Sequence, residues 1–162
     1  MKYSIGKTQK EDIPAIADLE QHCFSMPLTE KQIRSLIEAG NTCFLTAKMS
    51  NPGGCESEVL GYIGMQTVLD EGYILNIAVS ESYRQQGIAD ALMESIEEES
   101  VRRSLAFISL EVRESNLAAV SLYRKHGYLL AGRRVNYYSR PREDALIYTK
   151  FFSEKQIKED SI

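Results

Sequence analysis

Residues 74–89 read ILNIAVSESYRQQGIA. The apolar run 74–79 has the length and branched side chains of a buried strand. A polar turn follows, and Gly87 then opens a helix. A helix start carries unpaired N–H groups and a partial positive charge. A turn that aims further backbone N–H groups at the same point makes an anion nest. Gly87 lets backbone approach a ligand closely, and Ala89 keeps the next position small. This strand–loop–helix is a candidate cradle for a pyrophosphate. The competing reading is a plain N-terminal glycine, and the stretch alone does not dismiss it.

Working outward, 162 residues suit one domain with a real core. We expect it to span 1–152, with 153–162 as a polar tail. The hydrophobic content of 43% and charged content of 26% are those of a globular protein. A net charge of -4 argues against a nucleic-acid-binding surface. Cys23, Cys43 and Cys55 have no paired spacing and only His22 and His126 to join them, so no metal site is expected and the thiols read as reduced. There is no signal-like apolar run after Lys2, nor one of membrane-spanning length, so a cytoplasmic protein without membrane contacts is expected.

Upstream, 2–6 reads as a strand. Thr8 to Glu11 has capping-box spacing before a helix with Pro14 near its start. Ile13, Ile16, Ala17 and Glu20 form a mostly apolar stripe on that helix. Thr29 to Gln32 is a second capping box, with Ile33, Leu36 and Ile37 behind it and Gly40 as terminator. Strands at 42–49 and 59–69 flank a turn-rich loop, and Asp70-Glu71-Gly72 is the turn into strand four. Downstream, a helix from about Gly87 to Ser104 buries Ile88, Leu92, Met93 and Ile96, with Glu94, Glu97, Glu98 and Glu99 facing water. A strand at 105–112 follows. Ser115 or Asn116 then caps a helix ended by Gly127. Strands at 128–135 and 145–152 close the chain. The order is βααβββαβαββ, an α/β (α+β) fold. Its sheet is mixed and mostly antiparallel, with one parallel pair, strands four and five, joined by a helical crossover.

Two residues downstream carry possible chemistry. Alternation in strand five puts Ile108, Leu110 and Val112 on one face and Glu111 on the other, so its carboxylate lies either at a wet strand end or in a cleft. Tyr123 shares a helical stripe with Ala119, Leu122 and His126. It reads either as a core tyrosine with a bonded hydroxyl or as a site residue.

Taken together, several segments resemble the GNAT acetyltransferase superfamily. They are Asn76 to Val79, Tyr83 to Ala89, Leu110 to Asn116, Ala119 to Tyr123, Gly127-Tyr128, Arg134 to Tyr138 and Arg142 to Ala145. The resemblance is closest to the bacterial ribosomal-protein-alanine N-acetyltransferases. It is dense over 69–148 and thin before that. It implies acetyl-coenzyme A as co-substrate and a protein N-terminus as acceptor. Gln85, Gln86, Gly87, Ile88, Ala89 and Asp90 would receive the pyrophosphate. Ile77, Ala78 and Val79 would pair with the pantetheine arm, where strand four splays from strand five, and a backbone N–H at Ile77 or Ala78 would polarise the thioester. Asn116 would also touch the coenzyme. Glu111 would be the general base, Tyr123 the general acid, and Tyr137 and Tyr138 would hold the peptide end. A monomer or weak dimer is expected. Ala89 replaces a commoner glycine, Asp90 stands where relatives often carry a basic residue, and no tryptophan lies near Leu28. Two other readings are a GNAT enzyme for a small-molecule amine and a non-catalytic acyl-coenzyme A-binding module.

The chemistry is consistent. A peptide α-amine has a pKa of about 8, so about a tenth is neutral at pH 7. With an ordinary tyrosine near 10 and a thiol near 8.5, proton transfer from Tyr123 to the leaving thiolate is uphill by about 2 kcal/mol.

Overall fold

The computed structural model describes residues 1–53 and 57–152; the expected tail at 153–162 and Cys55 lie outside the described residues. The strands are β1 (Tyr3–Lys7), β2 (Thr42–Met49), β3 (Val59–Val68), β4 (Glu71–Val79), β5 (Phe107–Arg113), β6 (Leu129–Ser139) and β7 (Arg142–Phe151). The helices are α1 (Ile13–Cys23), α2 (Glu30–Glu38), α3 (Ile88–Arg102) and α4 (Leu117–Lys125). This is the expected βααβββαβαββ order. The seven strands follow the sheet order β1-β2-β3-β4-β5-β7-β6. Strands β4 and β5 are parallel, and the β1–β2, β2–β3, β5–β7 and β6–β7 pairs are antiparallel. The β4–β5 ladder comprises three pairs, Glu71–Phe107, Gly72–Ile108 and Tyr73–Ser109, although β4 runs on to Val79 and β5 to Arg113.

The chain divides into two compact units. One is Met1–Gln66 with Leu75–Glu97; the other is Thr67–Ile74 with the described residues from Glu98 onward. In the first unit, Ile13, Ile16, Leu19, Ile33, Phe44, Tyr62 and Ala78 make one buried cluster. Each such large side chain contributes about 1.5–3 kcal/mol when taken from water. Phe44 and Tyr62 stack with centroids 6.1 Å apart. The α2 capping box is as expected: Thr29 Oγ1 accepts from Gln32 N at 3.2 Å, and Gln32 Oε1 accepts from Thr29 N at 2.9 Å.

The first expected box is displaced by one residue. Gln9 N donates to Asp12 Oδ2 at 2.7 Å, while Thr8 hydrogen-bonds Thr46 Oγ1 at 2.6 Å across the β1–β2 edge. Asp12 wins because Lys48 pairs with it at 2.8 Å in a largely buried position. The expected Asp70-Glu71-Gly72 turn is also shifted. Leu69 takes φ 55°, the turn is Leu69-Asp70, and Glu71 and Gly72 already belong to β4.

In the second unit, Ile108, Leu110 and Val112 of β5 are buried and alternate with half-buried neighbours, as the sequence pattern requires. Glu99 corrects the expectation that it faces water. It is buried and pairs with Arg102 at 2.7 Å and Arg103 at 2.8 Å. Strands β6 and β7 run further than expected and place Tyr137 and Tyr138 inside β6. Asn116 caps α4, its Oδ1 accepting from Ala119 N at 3.2 Å, and Gly127 terminates the helix with φ 86°.

Candidate active site

The cradle lies in the first unit. Ala78 is buried, and Ile77 and Val79 are half-buried. Beside them Gly61 of β3 comes so close that a Cβ there would lie 2.7 Å from the Ala78 carbonyl oxygen. Only glycine allows that approach. Sequence reasoning missed Gly61, although a glycine inside an apolar strand signals close backbone contact. Ser80 N donates to Leu60 O at 2.8 Å where β4 ends. Arg84 then folds back, its Nε donating to Val79 O at 3.2 Å. Tyr83 donates to Glu58 Oε2 at 2.8 Å. Gln85 and Gly87 both take left-handed backbone, φ 60° and 81°. The first N–H to close an α3 bond is that of Ala91, on Gly87 O at 3.0 Å. The amides of Ile88, Ala89 and Asp90 precede it at the positive end of the helix. Gln85 and Gln86 are exposed, Ile88 packs inward, and Asp90 adds a negative charge in the first turn.

Behind this strand sits a buried carboxylate that the sequence pattern placed only on an apolar stripe. Glu20 has no exposed surface. It accepts a short hydrogen bond from Tyr62 Oη, and bonds from Asn76 Nδ2 and Leu28 N at 2.9 Å each. Burial pushes the Tyr62 phenol far above its ordinary range, and the neighbouring Glu20 charge pushes it the same way. The signal was available: a carboxylate in an apolar helical stripe must find donors.

The candidate acid–base residues lie in the second unit. Glu111 on β5 is half-buried, its side chain 27% exposed. Arg134 Nε donates to its Oε1 at 2.7 Å. The neighbouring Glu111 carboxylate raises the Tyr137 phenol above its usual range. The Tyr138 ring lies 5.1 Å from that of Tyr137, edge to face, with the Arg113 guanidinium 4.3 Å over its centroid. Burial, and then the Glu111 charge, push Tyr138 up to about 12. Tyr123 is only 5% exposed, and its ring is 6.0 Å from that of Tyr128. Burial pushes its phenol well above the ordinary value, and Tyr138 adds to this. The structure therefore brings Glu111, Tyr137, Tyr138 and Tyr123 into one electrostatic cluster. It also corrects the assumed ordinary acidity of Tyr123: this phenol holds its proton more firmly.

The strand that carries the two tyrosines is distorted at Tyr137. Regular pairing runs to Arg134–Ala145 and resumes at Tyr138–Glu143, so three β6 residues oppose Asp144 alone. Asn136 takes φ 53° there, and its N–H donates to Asp144 Oδ1 at 2.8 Å. Arg133 fixes the assembly, with Nη1 and Nη2 each 2.8 Å from the two Glu114 oxygens and Nη1 2.9 Å from Asp144 Oδ2. Glu143 accepts from Ser115 N at 2.6 Å. These contacts hold the carboxyls of Glu114, Glu143 and Asp144 below their usual range. The side-chain network was not visible in the sequence, because a bulge has no periodicity. Among the described residues no cluster of three or more His, Cys, Asp or Glu side chains is placed to hold a metal ion.

The mixed sheet, with its parallel β4–β5 pair and the strand–loop–helix after β4, is that of an acyltransferase when set beside known proteins. The pattern of the Acetyltransferase (GNAT) family matches residues 13–128. The chain is 36% identical over 146 residues to the ribosomal protein bS18-alanine N-acetyltransferase of Escherichia coli, covering 89% of this chain and 94% of that protein. It superposes on the crystal structure of the ribosomal-protein-S18-alanine N-acetyltransferase from Escherichia coli with a TM-score of 0.80, at 33% identity, over 91% of this chain and 92% of the other. The fold is shared too with Arabidopsis thaliana NAA60 in complex with acetyl-CoA, with a TM-score of 0.85 at 19% identity, over 94% and 99% of the two chains. The chain belongs to the GNAT acetyltransferase family, and it is an acyltransferase.

Proposed function

We propose that this protein transfers an acetyl group from acetyl-CoA to the α-amino group of a protein N-terminus, with an N-terminal alanine of a ribosomal protein as acceptor. The observation that carries the reading is Glu111, a half-buried carboxylate held by Arg134 at 2.7 Å, whose charge acts on Tyr137 and Tyr138, with Tyr123 next to Tyr138. Similarity to the Escherichia coli enzyme, 36% identical over 89% of this chain, supports the acceptor. Residues 1–152 act as one catalytic domain, a monomer or weak dimer working in the cytoplasm. Among the described residues no helix is long and apolar enough to cross a membrane.

Acetyl-CoA is the acyl substrate. The amides of the 85–90 segment, which include the positive end of α3, receive its pyrophosphate. The side chain of Ala89 is small enough to permit approach, and Asp90 weakens the grip by its charge. The backbone of Ile77, Ala78 and Val79 takes the pantetheine arm, and an N–H at Ile77 or Ala78 stabilises the oxyanion. The short β4–β5 ladder is compatible with that pairing. Asn116 contributes from the start of α4.

Glu111 takes the proton of the arriving ammonium. An α-amine with a pKa of about 8 needs only modest help, about two units less than a lysine side chain. Tyr137 and Tyr138 orient the peptide end. Tyr123 donates to the departing sulfur. Its raised pKa makes early proton transfer costlier than the sequence-based 2 kcal/mol, so it acts first as a hydrogen-bond donor and yields its proton late.

A thiol-release assay with acetyl-CoA tests this. Peptides beginning with alanine should turn over, and the same peptides with a blocked N-terminus should not. Turnover confined to polyamines or lysine side chains overturns the acceptor. No turnover with any amine favours a non-catalytic acyl-CoA-binding module.

A further inference from the structure

Adjacent arginines of β6 are held in opposite ways. Arg133 grips Glu114 with two nitrogens at 2.8 Å each and reaches Asp144 as well. That fork is the strong geometry for a guanidinium and a carboxylate. Arg134 bonds a carboxylate through Nε alone, to Glu111 Oε1 at 2.7 Å, and its side chain is 56% exposed. It stands at the last regular pair before the β6 distortion. Its guanidinium carbon is 5.9 Å from the Tyr137 ring centroid, close enough for that ring to receive the cation when it moves.

We infer that Arg134 is a displaceable counter-ion at Glu111, which the ammonium of the acceptor replaces as it binds. The inference rests on the reading of Glu111 as the base. Two cations at one half-buried carboxylate repel one another, and Arg134 holds Glu111 by a single bond, so the arriving ammonium weakens that hold and displaces the guanidinium. Leaving is cheap, because an exposed single-contact pair is weak. The exchange conserves charge at Glu111, one cation for another, and a neutral acceptor cannot drive it. Arg134 thus sets a threshold that only a cationic amine crosses.

Two readouts test it. In kinetics with an alanine-starting peptide, Arg134→Ala removes the competitor and should lower KM by about two- to fivefold, the usual strength of such a pair. Arg134→Lys, which can still pair with Glu111, should bring KM back toward the wild-type value. A KM that rises severalfold in Arg134→Ala would make Arg134 a binder of the acceptor, and an unchanged KM would make it a bystander; either overturns the inference. In NMR of the full chain, the Arg134 Nε–H signal, assigned with Arg134→Lys, should move to the position of a solvated arginine when the peptide saturates the enzyme. The N-acetylated peptide should leave it in place. A signal unmoved by a bound free-amine peptide also overturns the exchange. A peptide that displaces Arg134 but is never acetylated sinks the acetyl-transfer reading alone, whereas acetylation with Arg134 fixed sinks only the exchange.

Discussion

Glu20 and Glu111 are two carboxylates with similar partners and different fates. Each lies beside a tyrosine phenol, Tyr62 for Glu20 and Tyr137 for Glu111, and accepts from a nitrogen donor, Asn76 for Glu20 and Arg134 for Glu111. Glu20 has no exposed surface, and its third donor is the Leu28 amide, so every partner is fixed by the fold. Glu111 keeps 27% of its side chain in solvent, and its arginine is mostly exposed. The same chemistry in a sealed site is a structural tie, and at an open edge it is a group that can exchange partners. Accessibility, more than residue type, separates a carboxylate that holds the protein together from one that can take a proton from a substrate.

The comparison breaks most visibly at Glu111. Glu111→Gln should lower kcat by about 10²–10⁴-fold, the usual contribution of a positioned base. Its melting temperature should stay close to that of the wild type, because the lost pair with Arg134 is largely solvent-screened. Steady-state kinetics beside a thermal melt checks both halves. Full turnover in this variant would remove Glu111 from the chemistry.

Glu20 should respond the other way. A carboxylate is purely an acceptor, and Glu20 meets three donors. In Glu20→Gln one of them would face an amide N–H, at a cost of about 1–3 kcal/mol. Glu20→Ala leaves all three unpaired and should cost about 3–5 kcal/mol, a large share of an ordinary domain's stability. Denaturant unfolding measures this. A stable Glu20→Ala protein with lost turnover would reverse the two roles.

A smaller effect is expected at Gly61. The Cβ of Gly61→Ala would press on the Ala78 carbonyl at 2.7 Å, and overpacking of this kind costs about 1–3 kcal/mol. Because the displaced atom belongs to the segment proposed to pair with pantetheine, KM for acetyl-CoA should rise more than KM for the peptide. Equal changes in both would detach that segment from coenzyme binding.

Much of the fold was legible because it rests on local rules. Strand alternation placed Glu111 opposite Ile108, Leu110 and Val112, and the Thr29 box, Gly40, Asn116 and Gly127 marked helix ends where they occur. What failed depended on which side chains meet. Thr8 lost its capping role because its hydroxyl bonds Thr46 of the neighbouring strand while the box closed between Gln9 and Asp12, and Glu99 is buried while pairing with Arg102 and Arg103 on its own helix. At the site, residue identities could be carried from the resemblance, but Arg134 on Glu111, the buried Glu20 and the raised Tyr123 could not. Each depends on what lies beside a side chain in space, which spacing along the chain does not encode.

The central claim is acetyl transfer to an α-amine. Its most direct test is tandem mass spectrometry of one peptide that begins with alanine and carries an internal lysine, after incubation with the enzyme and acetyl-CoA. The account predicts a single acetyl group on the alanine nitrogen. An acetyl group on the lysine, or an unmodified peptide alongside an acetylated small amine, would contradict it.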